Sequence, residues 1–205
     1  MSTLETNLVQ PSTGTALTIG ASGDTITVPS GATFNVAGTL QSGGSAITQG
    51  ITMADQFRLS ANTTAPSGDL TSNLERVDTS GQGTLGTGMT ESSGIFSFPS
   101  TGIYLIEYAF CLSNVSAGTE DRAQVILKAT INNSDYTTIT NPDTSVDGSA
   151  NGATSVGYSS SLIDVTDTSN VKVKFTAQSF KSGTTLSGST SENSTHFTFI
   201  RLGDT

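Results

Sequence analysis

Nowhere in its 205 residues does this chain hold an eleven-residue window with the three-to-four-residue apolar spacing of a helix. What recurs instead is a short alternating run closed by Gly, Ser or Asn. Beyond residue 50 such runs follow one another roughly every ten residues, the spacing of sandwiches and barrels. Ala54 to Leu59 is the best short helical candidate, and it reads equally well as the start of a strand. The chain is therefore expected to be all-β. Composition agrees: 12% of residues are charged, against about 25% in an ordinary domain. The surface must then be built from hydroxyl and amide side chains, with Thr suited to strands and Ser, Gly and Asn to turns.

The run from Ile95 to Leu112 is the most informative. By parity its second part divides into Tyr104, Ile106, Tyr108, Phe110 and Leu112 on one face and Ile103, Leu105, Glu107, Ala109 and Cys111 on the other. A strand with one wet face alternates apolar with polar residues. Here both sets are mostly apolar, so the second is expected to be covered too, by a neighbouring subunit. Arg122 to Ile131 alternates more cleanly. Ala123, Val125, Leu127, Ala129 and Ile131 are expected inward, Arg122, Gln124, Lys128 and Thr130 outward, with a turn at Asn132-Asn133-Ser134-Asp135. Val171, Val173 and Phe175 repeat the inward pattern. A last strand from Thr195 to Leu202 carries His196 on the face opposite Phe197 and Phe199.

Residues 1–50 differ in kind, with no Lys or Arg and only two acids, Glu5 and Asp24. Leu17-Thr18-Ile19, Ile26-Thr27-Val28 and Phe34-Asn35-Val36 recur nine and then eight residues apart, punctuated by Gly20-Ala21-Ser22-Gly23-Asp24 and Pro29-Ser30-Gly31-Ala32. Each unit is a minimal strand followed by a turn. Units this short cannot bury an apolar side alone. They are expected to stack on each other and on the same segment of other subunits, or to lie along a partner protein. Ser42-Gly43-Gly44-Ser45 reads as a flexible joint. The organisation expected is an N-terminal attachment segment over 1–41, a Gly/Ser linker over 42–52 and a head over 53–205.

Charge and hydropathy narrow the function classes. The formal net charge is -9 and Lys and Arg are never clustered, which argues against a nucleic-acid partner. No apolar run approaches the roughly 20 residues that span a bilayer, so no membrane insertion is expected. Met1-Ser2-Thr3-Leu4-Glu5 lacks the basic-then-apolar pattern of a secretion signal, and the chain reads as soluble. Cys111 is the single cysteine; set between Phe110 and Leu112, it reads as a small buried hydrophobe.

The residues for catalysis are scarce, and no enzyme activity is expected. His196 is the one histidine, and no nucleophile elbow accompanies it. A multi-ligand His/Cys metal site is excluded by counting. Calcium has candidates in Asp143, Asp147 and Asn151, within an Asx-rich stretch lacking the spacing and terminal Glu of an EF-hand. Glu120-Asp121 and Asp164 with Asp167 read as solvated turn carboxylates. Gly81 to Gly88 lacks the Lys-Ser/Thr ending of a phosphate loop and reads as a flexible loop.

Phe96-Ser97-Phe98-Pro99-Ser100-Thr101-Gly102-Ile103-Tyr104 resembles the strand-turn-strand signature of the globular heads of the complement and tumour necrosis factor superfamily. Ser161 to Val165 and Thr195 to Leu202 resemble later strands of those heads. The resemblance spans residues 53–205 and implies a ten-stranded jelly-roll β-sandwich packed as a homotrimer. Phe98, Gly102, Tyr104, Ile106, Tyr108, Phe110, Phe175, Phe197 and Phe199 would then form the core and trimer positions. Residues 6–39, from Thr6-Asn7-Leu8 to Ala37-Gly38-Thr39, resemble the opening of virion structural and tail-fibre proteins of cyanophages and other tailed phages of marine bacteria.

Together these imply a non-enzymatic virion protein on the exterior of a phage particle. Residues 1–41 would hold other virion proteins, and a trimeric head would contact a host surface glycan or protein. Gly81–Gly88, Asn141–Gly152 and Lys181–Asn193 are the candidate receptor loops. Two alternatives share the fold: a capsid decoration protein that stabilises the particle, and a carbohydrate-binding or carbohydrate-active module. The latter is weakened by the absence of Trp, and an enzyme of that kind would need two carboxylates facing across a cleft.

Overall fold

A computed structural model describes residues 14, 18–42, 45–46, 50–114, 120–148 and 152–205. The chain divides into two units, Met1–Ile47 and Thr48–Thr205.

The described part of the first unit contains turns and one small hairpin. Asp24 N–H donates to the Ala21 carbonyl at 3.0 Å and Ala32 N–H to the Pro29 carbonyl at 3.0 Å. The turns expected at Ala21–Asp24 and Pro29–Ala32 therefore form. Strands do not: Thr18-Ile19, Ile26-Thr27-Val28 and Phe34-Asn35-Val36 have no paired strand among the described residues. Three residues between two turns offer too few ladder bonds to hold a strand without a neighbour. Strands β1 (Gln41–Ser42) and β2 (Ser45–Ala46) pair in register, Gln41 with Ala46 and Ser42 with Ser45. Ser42 and Ser45, the two ends of the stretch expected as a loose joint, are thus paired with each other.

In the second unit the strands are β3 (Met53–Leu59), β4 (Thr63–Thr64), β5 (Gly68–Asp69), β6 (Leu74–Arg76), β7 (Thr90–Ser92), β8 (Ile95–Ser97), β9 (Gly102–Asn114), β10 (Glu120–Thr130), β11 (Thr137–Thr140), β12 (Asp143–Val146), β13 (Thr154–Val165), β14 (Lys172–Gln178), β15 (Thr184–Leu186) and β16 (His196–Gly203). They form two seven-stranded sheets. One runs β11-β10-β14-β8-β7, with β12 also on β10 and β5 on β14. The other runs β4-β15-β9-β16-β3-β6, with β13 on β9. The pairings are antiparallel, and the architecture is an all-β jelly roll. The count exceeds the ten strands that the resemblance implied because several edge segments of two to four residues also pair.

Between the sheets lies an aromatic core. Phe57, Phe96, Tyr108, Phe110, Phe175, Phe197 and Phe199 are all buried. Phe175 and Phe197 approach to 4.1 Å between centroids, and Phe57 meets Phe96 edge-on at 5.1 Å. Edge-on and tilted contacts of this kind add to the area term because ring edges are positive and faces negative. The Tyr108 hydroxyl reaches through the core, donating to the Val125 carbonyl at 2.8 Å with Thr140 Oγ1 also 2.8 Å away. Burial pushes that phenol above its ordinary value.

The motif from Phe96 to Tyr104 turns the chain from one sheet into the other. Phe98 packs on Tyr104 at 4.7 Å, and the Tyr104 hydroxyl donates to the Ser100 carbonyl at 3.0 Å. Gly102 has φ +142°, and a Cβ there would lie 2.5 Å from the Gly203 carbonyl oxygen and 2.6 Å from Arg201 Nε. Only glycine fits this corner.

Parity fails in the Arg122–Ile131 run. On β10, Gln124 and Thr130 are buried although expected outward, and Ile131 is exposed although expected inward. Gln124 is covered because the β11–β12 connection folds back, placing Asn141 Oδ1 2.7 Å from Gln124 Nε2. Ile131 lies past the last paired residue, where Asn132 Oδ1 accepts from Ser134 N–H and Asp135 N–H and turns the chain. Alternation holds only while the strand lasts.

Candidate functional site

The predicted core positions Phe98, Gly102, Tyr104, Ile106, Tyr108, Phe110, Phe175, Phe197 and Phe199 are buried between the two sheets. They face the core; the opposite face of the β9 sheet points away from it. On that face the register sets up cross-strand rungs. Leu162 of β13, Leu105 of β9, Ile200 of β16 and Ala54 of β3 stand side by side. The next rung is polar, with Ser160, Glu107, Thr198 and Gln56. Tyr158, Ala109, His196 and Arg58 follow, and Val156 stands beside Cys111 beyond them.

Three members of the polar rung, Glu107, Thr198 and Gln56, have hydrogen-bond partners. The Tyr158 hydroxyl donates to Glu107 Oε1 at 2.6 Å, which also raises the phenol above its ordinary value. Gln56 Nε2 donates to Thr198 Oγ1 at 2.7 Å and Gln56 Oε1 accepts from Asn193 Nδ2 at 2.6 Å. The apolar positions are open. Val156 is 62%, Tyr158 57% and Leu162 59% exposed. Ile103, Leu105, Ala109, Cys111 and Ile200 are half-buried. Cys111, expected as a buried hydrophobe, therefore lies on this outer face. His196 is half-buried, with Nδ1 2.9 Å from the Asn193 carbonyl oxygen.

Sequence reading missed two buried charged residues on β3, and Glu120, read as a solvated turn carboxylate, is buried at the start of β10. Arg58 is fully buried, donating to Glu75 Oε1, Thr79 Oγ1 and Asp78 Oδ1, each at 2.7 Å, and to the Thr190 carbonyl. It ties β3 to two loops that meet over it. Asp55 is also buried; it accepts from Arg76 Nε at 3.0 Å, Thr84 Oγ1 at 3.1 Å and Met89 N–H at 2.8 Å. Gly88 has to be glycine because a Cβ would lie 2.4 Å from Asp55 Oδ2. The loop expected to be flexible, Gly81–Gly88, is thus pinned, and Leu85 exchanges backbone hydrogen bonds with Ala54 at 2.8 and 3.2 Å. A signal was available: Asp55 shares parity with Met53, Phe57 and Leu59, and a carboxylate on a core-facing position needs partners.

The other receptor-loop candidates are only partly loops. Asn141–Gly152 contains β12, and Lys181–Asn193 contains β15, whose three residues are buried. Of the calcium candidates, Asp143 lies on β12 with Arg122 Nε 3.2 Å from its carboxylate, and Asp147 is exposed. Asn151 lies outside the described residues. Among the described residues no group of three or more His, Cys, Asp or Glu side chains converges. An open depression of about 590 Å³ beside Arg76, Thr84, Thr87 and Met89 has one carboxylate in its lining, Glu91, which accepts from Gly94 N–H.

No family model matches the chain, and no curated protein does. Solved structures do. Eiger TNF from S. frugiperda is 13% identical with a TM-score of 0.53, over 76% of this chain and 95% of that one. Murine APRIL at pH 8.0 is 13% identical with a TM-score of 0.51, over 73% and 98%. Murine APRIL at pH 5.0 is 15% identical with a TM-score of 0.50, also over 73% and 98%. At these identities the likeness is one of fold: the second unit is a jelly roll of the tumour necrosis factor type.

Proposed function

We propose that the chain is a non-enzymatic structural protein on the exterior of a phage particle, a homotrimeric fibre or spike whose head contacts the host surface. Residues 1–41 join it to other virion proteins, and the exposed parts of the head loops meet a surface glycan or protein. The observation that carries the trimer is the outer face of the β9 sheet, where Leu162, 59% exposed, stands in one apolar rung with the half-buried Leu105, Ile200 and Ala54. Large open apolar residues of this kind mark contact surfaces, and a closed ring of copies covers the face on every subunit. Three copies of a weak loop site then bind one surface with avidity and no additional contact. The phage assignment is supported by the likeness of residues 6–39 to virion proteins. No cofactor enters this proposal.

Two measurements test it. Sedimentation should give three times the 20.9 kDa chain mass, and Leu162→Asp should lower that mass while the far-ultraviolet spectrum of the head persists. Antibodies to the head, imaged on intact virions, should decorate tail fibres or spikes. Label spread over the capsid would establish decoration instead, and particles without label would remove the virion assignment.

A further inference from the structure

We infer that residues 18–40 form their sheet between copies of this chain, each copy supplying the strands its neighbours lack. The inference rests on the trimer reading above.

Both turns of the segment have the same form. In Ala21-Ser22-Gly23-Asp24 and in Pro29-Ser30-Gly31-Ala32 the third residue is glycine, at φ +92° and +86°, while Ser22 and Ser30 keep negative φ. Positive φ at the third position alone is the type II pattern. Type II turns splay the arms they connect, whereas tight hairpins use turns with positive φ at the second residue. Thr25–Val28 and Thr33–Val36 are therefore not joined by a turn that favours a hairpin, and neither has a paired strand among the described residues. Their backbone donors and acceptors, and an apolar pair on each arm, are presented outward. Ile19 is 65%, Ile26 64% and Phe34 66% exposed, with Val28, Val36 and Leu40 also exposed.

The occupant follows from charge and spacing. Asp24 is the only charged residue from 18 to 42, and one of its carboxylate oxygens is held by Ala21 N–H at 2.7 Å. Such a surface gives an acidic or basic partner nothing to pair with, and it lets identical copies approach without like-charge repulsion. Identical copies also match in length. The two turns stand eight residues apart in every copy, so the arms of one chain meet arms of equal length in the next. Rotational closure leaves no strand edge unpaired, and Ile26, Val28, Phe34 and Val36 then face a common interior.

Hydrogen exchange on the full-length protein, with mass measured on the same sample, tests this. The expected result is trimer mass with the amides of residues 25–28 and 33–36 slowed at least about a hundredfold relative to a free chain. The double variant Ile26→Asp/Phe34→Asp should abolish that slowing and leave exchange in β9 and β16 unchanged. Trimer mass with free-chain exchange over 25–36 would overturn the inference and leave the trimer intact. Monomer mass would overturn the trimer reading and the inference together. Slowing that arises only on the assembled particle would mean another protein is the occupant, and would also overturn it.

Discussion

The two units of this chain use the same raw material, short Thr- and Ser-rich runs between glycine turns, and reach opposite results. In the head each run has a neighbour: β9 alone pairs with β13, β15 and β16. In residues 18–40 the turns form and the arms remain unpaired. Alternating apolar residues therefore create a strand only where another strand and a covering layer are within reach; a turn, by contrast, needs only its own four residues. The head has both neighbours because it is long enough to fold two sheets together. The front segment has neither within its own described residues.

The sharpest way to break that comparison is to remove a core ring. Phe175→Ala deletes contacts to Phe96, Tyr108, Phe197 and Phe199 and should cost the head about 3–5 kcal/mol, read as a lower denaturation midpoint. Phe34→Ala in the front segment, exposed in the single chain, should leave the head's midpoint where it was. Arg58→Met comes next. It strands Glu75 and Asp78, and the cost should fall below the roughly 3–5 kcal/mol of a fully buried pair, because Asp78 is mostly in water.

Glycine substitutions sharpen the contrast. Gly102→Ala forces a Cβ onto the Gly203 carbonyl and should destabilise the head by about 2 kcal/mol in chemical unfolding. Gly23→Ala meets nothing within 4 Å, so its strain of about 1 kcal/mol should leave the head's unfolding curve unmoved.

The smallest effect concerns pH. Burial pushes the Asp69 carboxyl up, but hydrogen bonds from Lys174 and Thr176 outweigh it and hold the group below its usual 3.8. Its contribution is therefore present above pH 3.8 and is lost as pH falls through the lowered folded value. Asp69→Asn should flatten the head's stability curve slightly below that pH, measured by urea midpoints along an acid series.

How much of this was legible in the sequence depends on the range of the interaction. Parity alone places Tyr104 through Leu112, Val171 through Phe175 and Phe197 with Phe199 on the core side, since alternation is local and these strands are uninterrupted. It misplaces Gln124 and Ile131, because a crossing loop and a strand end are not local facts. The partners of Arg58 were invisible for the same reason, since it reaches Thr190, 132 residues away, whereas parity marked Asp55 as core-facing without naming what pairs with it. The outer face of the β9 sheet was half legible. Leu105 and Cys111 marked it from one strand, but Leu162, Ile200 and Ala54 joined it only through register.

One pairing has a consequence for display. Met53 and Arg201 face each other across β3 and β16, so the chain comes into the head and leaves it at one end. The 13 residues of β9 run from that end to the other, about 40 Å away at roughly 3.3 Å per residue. Leu85, bridged to Ala54, stays near the incoming strand, whereas Val146 and Thr154, which bracket the 147–153 connection, lie at the distal tip beside Glu120 and Ser113. A peptide grafted into that connection would start from the end of the sandwich opposite to the one where Met53 and Arg201 meet.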